Sequence, residues 1–363
     1  MGGLSTIRGF ELKKELRWIV VFVTVIPMTL VAQYFHRSDL IFPEAAALTI
    51  GTWGGEAHAW SESKLKLAIL PPMAATVAVL LNWIHLPVLI GFSLMVVVIP
   101  IALDLLKSPL IPTISAGALP SLFQIKSPWF LVVVAAITVT LGAGLYIGEQ
   151  ISHKSSASLT IEKESNSGNG EAWSAGLISD GKLTSRNESG DGDRLQDDID
   201  EDLPKSSVAR RRMLAWFIAI SICWTFATWW SIPHAALAPP ILVSFYEWLK
   251  SSDRSGARYL KRWATITSGI VIGTIVHQVL ANFVLAALLA VAISYLAMKL
   301  LREVHPPTLA ISLLPLIFPG NLPYVRAFDV SLAVAVLYGL GLYLPRLISH
   351  RRWTIDRDLI GGD

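Results

Sequence analysis

The sequence LLREVHPPTLAISLLP at residues 300–315 places a histidine, two adjacent prolines and a threonine within a strongly apolar part of the chain. A related stretch, LLKSPLIPTISAGALP, occupies residues 105–120. Proline has no backbone N–H and disfavours helical geometry in the residue before it, so neither stretch can be one unbroken helix. Proline is well tolerated in the first turn of a helix. Each stretch therefore predicts the end of one helix and the start of a short second one.

The composition indicates that these helices lie in a membrane. Of the 363 residues, 53% are hydrophobic and only 16% are charged, whereas a soluble domain carries about 25% charged residues. Apolar segments follow one another along the chain and are separated by polar loops. We therefore predict an all-α polytopic membrane protein whose surroundings are the lipid bilayer.

The order of the apolar segments predicts two homologous helical repeats. With a constant offset of 195 residues, residues 105–128 align without a gap to residues 300–323 with eight identities in 24 positions, three of them prolines. A helix needs about 20 residues to cross the bilayer, so each repeat is predicted to have four long segments and two short ones that are half-helices or re-entrant. The predicted segments are 18–35, 41–54, 65–84, 86–106, 111–123 and 129–147, then 214–230, 235–248, 264–280, 283–301, 308–318 and 327–344.

The chain is predicted to contain four regions. Twelve of the 27 acidic residues lie between Glu162 and Asp202, and this polar composition predicts a disordered acidic linker. Lysines and arginines favour the cytoplasmic side, which predicts a cytoplasmic N-terminus, linker and C-terminus in a plasma or inner membrane, with an organelle membrane left open. The regions are residues 1–154 for the first repeat, 155–209 for the linker, 210–350 for the second repeat and 351–363 for a polar tail.

The proline breaks are candidate sites for a solute. A helix start has N–H groups without an intrahelical partner, and it attracts anions. Paired proline-interrupted segments in the two halves of a membrane protein are typical of a transporter site. A second pair, Pro43-Glu44 and Pro233-His234, places an ionisable residue after a proline. The predicted substrate-binding residues are His305, Pro306, Pro307, Thr308, Pro112, Thr113, Glu44 and His234.

These residues also have structural interpretations. His305 follows several charged residues and could be an ordinary histidine at the membrane interface. Glu44 and His234 lie close to predicted outer loops and could face solvent. The proline–threonine pairs are expected to have a structural role whether or not they contact a solute.

The motif His305-Pro306-Pro307, with a basic residue before it and a short apolar segment after it, resembles the HPP family of integral membrane proteins, which is named for this motif. The resemblance covers the second half directly and the first half only through the repeat, because the first half has Leu110-Ile111-Pro112. It implies a multi-helix membrane domain. Plastid members in plants are regarded as nitrite transporters. Family members usually have one such unit, whereas two are expected here.

The sequence predicts a membrane transporter or channel for a small solute, most plausibly a small inorganic or organic anion such as nitrite. His305 or His234 could couple protons, since histidine titrates near neutral pH. The alternative is a non-catalytic scaffold or accessory subunit that recruits a partner through the acidic linker, and homo-oligomers are left open. The sequence has no HExxH, GxSxG, Cys/His cluster or GxxxxGK[ST] motif. We therefore expect no enzyme activity, metal, cofactor or nucleic-acid binding.

Overall fold

The computed structural model describes residues 20–53, 64–166, 205–229, 237–251, 254–318 and 323–360, and all regular structure within these residues is helical. We number the α-helices in these ranges in chain order. They are α1 (Val20–Tyr34), α2 (Glu44–Trp53), α3 (Lys64–Trp83), α4 (Val88–Leu105), α5 (Pro112–Phe123), α6 (Pro128–Asn166), α7 (Lys205–Trp229), α8 (Pro239–Lys250), α9 (Gly256–Val279), α10 (Phe283–Leu301), α11 (Pro307–Leu313) and α12 (Pro323–Ile360). Short 3-10 turns add Ser38–Leu40 before α2 and Leu314–Leu316 after α11.

Six of the described helices are long and apolar enough to cross a membrane. Only 33 to 44% of the residues in each candidate span are buried within the protein, so most of their apolar surface faces outward and suits lipid rather than water. This confirms the prediction of an all-helical, multi-pass membrane protein. Helix α9 is not among the six, and three cations, Arg258, Lys261 and Arg262, lie in its first two turns. The spans are Lys64–Trp83, Val88–Leu105, Pro128–Ile147, Arg210–Trp229, Phe283–Leu301 and Tyr324–Pro345.

The four short helices, α2, α5, α8 and α11, pack against one another in the interior, and we call them the short-helix cluster. Helix α2 contacts α5 and α11, and helix α8 contacts the same two helices. Residues 112–122 of α5 and all seven residues of α11 are buried. The long helices α3, α4, α9 and α10 pack around the cluster. At 7 to 12 residues, these helices are shorter than the roughly 20 residues that a membrane crossing needs.

Prolines begin the short helices of both halves. Pro112 is the first residue of α5 and Pro307 is the first residue of α11, as the sequence predicts. Helix α8 begins at Pro239, with Ala238 as its N-cap. Helix α8 thus begins four residues after the predicted start at residue 235, and Pro233 lies outside the described residues.

The helices on either side of the predicted linker are longer than the sequence indicates. Helix α6 continues to Asn166 and helix α7 begins at Lys205, so both ends of the predicted linker, residues 155–209, are helical. Residues 167–204 lie outside the described residues. The tail residues 361–363 and the N-terminal residues 1–19 also lie outside them.

Glycines on α9 bring its backbone into direct contact with α11. A Cβ atom at Gly269 would lie 2.8 Å from the carbonyl oxygen of Thr308, and one at Gly273 would lie 2.0 Å from the carbonyl oxygen of Ser312. The four-residue spacing places both glycines on one helix face. This close approach fixes the position of α11, and with it the His-Pro-Pro segment that precedes α11.

Candidate functional site

His305 lies in the interior, two residues before the start of α11, and only 1% of its surface is exposed. Its backbone N–H donates to the sulfur of Met298 at 3.4 Å. Its ring Nε2 lies 2.5 Å from Ser244 Oγ, and its Nδ1 lies 3.7 Å from Glu247 Oε2. The interpretation of His305 as an ordinary interfacial histidine is therefore wrong, since the ring is enclosed by polar groups of another helix.

A hydroxyl chain continues inward from this histidine. Ser244 Oγ hydrogen-bonds both to the His305 ring and to the hydroxyl of Tyr338 on α12. Ser244 and Tyr338 are both fully buried, and the Tyr338 ring lies 5.2 Å from the ring of Trp248. We call Glu247, His305, Ser244 and Tyr338 the histidine network. It joins α8, α12 and the residue before α11.

An ion pair lies beside the histidine network. Arg262 Nε on α9 lies 3.1 Å from Glu303 Oε1, and Arg258 Nε lies 3.9 Å from the same oxygen. The Arg262 guanidinium also lies 5.4 Å from the Trp248 ring centroid, a favourable cation–π distance. Arg262 thus interacts with both the Glu303 carboxylate and the Trp248 ring on α8.

The threonines that follow the two prolines have hydroxyls without a hydrogen-bond partner. Thr113 and Thr308 are 4% and 0% exposed, and within the described residues neither Oγ1 has a partner. Each is the second residue of its short helix. A buried polar group without a partner costs free energy, so each hydroxyl has capacity for a further ligand.

The backbone amides at these helix starts are already used. The N–H of Thr308 donates to the carbonyl of His305 at 3.0 Å, and the N–H of Thr113 donates to the carbonyl of Leu110 at 3.1 Å. These are tight three-residue turns, and proline at the first helical position pre-sets them. The expectation of free first-turn amides is therefore wrong at these two residues, and the available donors are side-chain hydroxyls.

Glu44 is the first residue of α2 and is 1% exposed. One of its carboxylate oxygens accepts a hydrogen bond from Ser115 Oγ on α5. The other, Oε2, has no hydrogen-bond partner among the described residues. The interpretation of Glu44 as a solvent-facing residue is therefore wrong. The carboxylate lies inside the short-helix cluster and joins α2 to α5.

The structure places seven of the eight predicted site residues in the short-helix cluster or directly beside it. Pro112, Pro306 and Pro307 are buried and shape the two breaks, which is a structural role, while His305, Thr113, Thr308 and Glu44 supply the polar groups. His234 lies outside the described residues. Sequence reasoning missed Ser244, Glu247 and Tyr338. In the apolar sequence ILVSFYEWL, a Ser and a Glu are three residues apart and so lie on one helix face. This pattern could have indicated that both side chains belong to the site.

Other possible sites are distinct from this one. Within the described residues, no group of three or more His, Cys, Asp or Glu side chains is arranged to hold a metal ion. A cavity of about 340 Å³ lies between α1 and α6, and its lining is mainly apolar. It includes Pro27, Met28, Val133 and Ile137, and it does not include the predicted site residues.

Comparison with known proteins supports the resemblance found in the sequence. Residues 263–354 match the family model described as HPP, transmembrane region. The match begins within α9 and includes the His-Pro-Pro motif, α10 and α11. Neither the curated proteins nor the solved structures contain a match to this chain. The protein is a multi-pass integral membrane protein, and its residues 263–354 are similar to the transmembrane region of the HPP family.

Proposed function

We propose that this protein is a transporter or channel for a small solute that binds at the starts of α5 and α11. The observation behind this proposal is the pair of buried, unpartnered hydroxyls of Thr113 and Thr308, one at each proline break. Two buried hydroxyls without hydrogen-bond partners lower the free energy of unfolding, so stability of the fold does not explain their matching positions. A solute that accepts hydrogen bonds would offset that cost. Proline-interrupted helices at depth in a membrane are found where a cavity or solute meets the chain.

We also propose that the two halves are tandem copies of one unit. The starts of α2, α5 and α6 lie 195 residues before the starts of α8, α11 and α12. The packing pairs match as well, because α3 contacts α4, α5 and α6 just as α9 contacts α10, α11 and α12. Between the halves, α2 contacts α11 and α8 contacts α5. This exchange of partners is the pattern expected when two copies are related by a two-fold axis.

A small anion such as nitrite is the solute class we propose. The threonine hydroxyls and the His305 ring are hydrogen-bond donors that an anion accepts. The Glu44 carboxylate opposes this charge when it is ionised, since like charges repel strongly where the dielectric is low. In its protonated form the same group is neutral and can donate. Anion binding is therefore expected to be tighter in Glu44→Gln, which keeps the shape and removes the charge.

Uptake into proteoliposomes tests the proposal. Purified protein is reconstituted, and uptake of nitrite, nitrate and formate is compared with that of empty liposomes. Removal of one hydrogen bond of roughly 1.4 kcal/mol lowers affinity about tenfold, so Thr308→Val and Thr113→Val are each expected to weaken uptake by about that factor.

The matched control is Thr138→Val on α6. Thr138 is also fully buried, but its hydroxyl donates to the carbonyl of Val134 at 2.9 Å within its own helix. Uptake by this variant should equal that of the unaltered protein. The proposal is wrong if no anion enters above the empty-liposome level. The site is wrong if the Thr113→Val, Thr308→Val double variant transports normally.

A further inference from the structure

A carboxylate and an imidazole face each other in the histidine network. Glu247 Oε2 lies 3.7 Å from His305 Nδ1, and the two side chains are 12% and 2% exposed. The second carboxylate oxygen, Glu247 Oε1, has no hydrogen-bond partner among the residues that the structure describes. An isolated charge at such a buried position is costly unless an opposite charge or a proton compensates it. A single proton, bound to either the carboxylate or the imidazole ring, gives the pair a net charge of zero.

Other charged groups lie around the pair. Arg262 on α9 is 3.1 Å from Glu303, and Glu303 is also near Arg258. Asp104 on α4 pairs with Lys250 at 3.3 Å. Arg262 also attracts Glu247 electrostatically, while His305 is the titratable group in ion-pair distance of the Glu247 carboxylate.

The network also offers the proton a path. Nδ1 of His305 faces Glu247 while Nε2 faces Ser244, and an imidazole can gain a proton on one nitrogen and lose one from the other. Ser244 and Tyr338 hydroxyls both donate and accept hydrogen bonds. Glu247, at 12% side-chain exposure, is the more accessible end, and Tyr338, at 0%, is the inner end.

We infer that Glu247 and His305 form one proton-binding site, and that loading and unloading of this proton couples solute movement to a proton gradient. The proton moves from water to Glu247 or His305 and returns to water, and no other bond changes. The coupling rests on the proposed transport function, whereas the proton site itself does not. The same network supplies both the titratable pair and the link to the His-Pro-Pro break at α11.

The proton site is tested without any solute by infrared titration of the purified protein in lipid nanodiscs. We expect a pH-dependent carboxyl band that is lost in Glu247→Gln and shifts its titration midpoint in His305→Gln. Asp104→Asn removes the carboxylate on the other flank of α8 and should leave the band in place. Glu247→Asp keeps a carboxyl group and should retain a titrating band, which separates loss of the group from loss of the fold. An unchanged band in Glu247→Gln overturns the site.

The coupling is tested by anion uptake with and without a pH gradient that is acidic outside. We expect the gradient to stimulate uptake by the unaltered protein and by Asp104→Asn, and this stimulation to be lost in Glu247→Gln. Gradient-stimulated uptake by Glu247→Gln at the normal level overturns the coupling. Uptake by the unaltered protein that ignores the gradient also overturns it while leaving the transport function intact. If no anion moves at all, the transport function and the coupling both fail, and the infrared result still decides the proton site.

Discussion

The two proline breaks have the same backbone arrangement, but the side chains before the helices differ. In the first half Leu110 precedes α5, and in the second half His305 precedes α11, and both side chains are 1% exposed. Each short helix nevertheless begins at proline and continues with a threonine. The break itself is therefore set by proline and by packing in the short-helix cluster. The residue before the prolines is free to differ, and it decides whether the break contains a titratable group.

The polar partners of the two breaks differ in the same way. In the first half the buried carboxylate of Glu44 is linked to Ser115 on the neighbouring short helix α5. In the second half the carboxylate of Glu247 faces His305, and Ser244 connects that ring to Tyr338. The family match at residues 263–354 lies in the second half and includes the histidine. In the function that we propose, the second half therefore supplies the proton site, and the first half supplies binding groups without a histidine.

The largest expected effect comes from the contact between α9 and α11. Gly273→Ala puts a carbon atom 2.0 Å from the Ser312 carbonyl oxygen, and the backbone on both sides cannot move freely. We expect a loss of at least about 3 kcal/mol, at the upper end of the range for overpacked cores, seen as a lower thermal midpoint. At the 195-residue offset of the repeats that we propose, Gly273 aligns with Ala78, whose methyl group is buried in the protein.

The control for this prediction is Gly339→Ala on α12, where a Cβ would have no atom within 4 Å. Its thermal midpoint should equal or exceed that of the unaltered protein. A Gly273→Ala protein as stable as this control would show that α9 and α11 are less closely packed than the structure indicates. The difference between the halves would then be smaller than we describe.

A second, smaller effect is expected at the end of α5. Asn82 Nδ2 donates to the carbonyls of Pro120 at 2.8 Å and Ile125 at 2.9 Å, and its side chain is buried. Asn82→Ala removes both hydrogen bonds, at a cost of about 1–3 kcal/mol, although the Pro120 carbonyl still accepts from the backbone N–H of Ile125 at 2.9 Å. The corresponding second-half residue is His277, which is only partly buried. His277→Ala should therefore lower the thermal midpoint less than Asn82→Ala, and equal effects would contradict the proposed difference.

The smallest effect on anion uptake is expected when the segment between the two halves is replaced. Replacement of residues 167–204 by a Gly/Ser linker of equal length removes the acidic charges and keeps the reach between α6 and α7. Anion uptake should be unchanged, because the proposed site lies in the short-helix cluster. Co-purification with membrane partners is measured in parallel. A variant that transports normally but loses a partner would support the scaffold role in addition, and loss of uptake would contradict a site formed by the two helical halves alone.

The sequence predicts helix ends well where proline sets them. Pro112, Pro307 and Pro128 begin helices close to the predicted positions, because proline restricts the backbone locally. For α8 the predicted start at residue 235 and the observed start at Pro239 differ by four residues, because several prolines occur within this short stretch of sequence. The His-Pro-Pro motif also indicates the similarity to the HPP family that the match at residues 263–354 supports.

The contacts within the site could not be predicted in the same way. His305 meets Ser244 across 61 residues, and Ser244 meets Tyr338 across 94 residues, so these neighbours depend on how three helices pack. The prediction of backbone N–H groups without hydrogen-bond partners at the two helix starts is also wrong at Thr113 and Thr308. A helix start in the sequence suggests free N–H groups, but the turn that the prolines impose supplies local carbonyl acceptors at Thr113 and Thr308.

The glycine face of α9 restricts how this protein can change shape. Gly269 and Gly273 allow the α9 backbone to pack directly against α11. If one helix slid along the other, a larger side chain of α9 would collide with the α11 backbone. These two helices are thus expected to move as a single body. If the proposed transport alternates access between the two membrane faces, we expect the motion at another boundary between the halves, such as the one where α8 meets α5. Cross-links placed there should arrest transport, while cross-links between α9 and α11 should not.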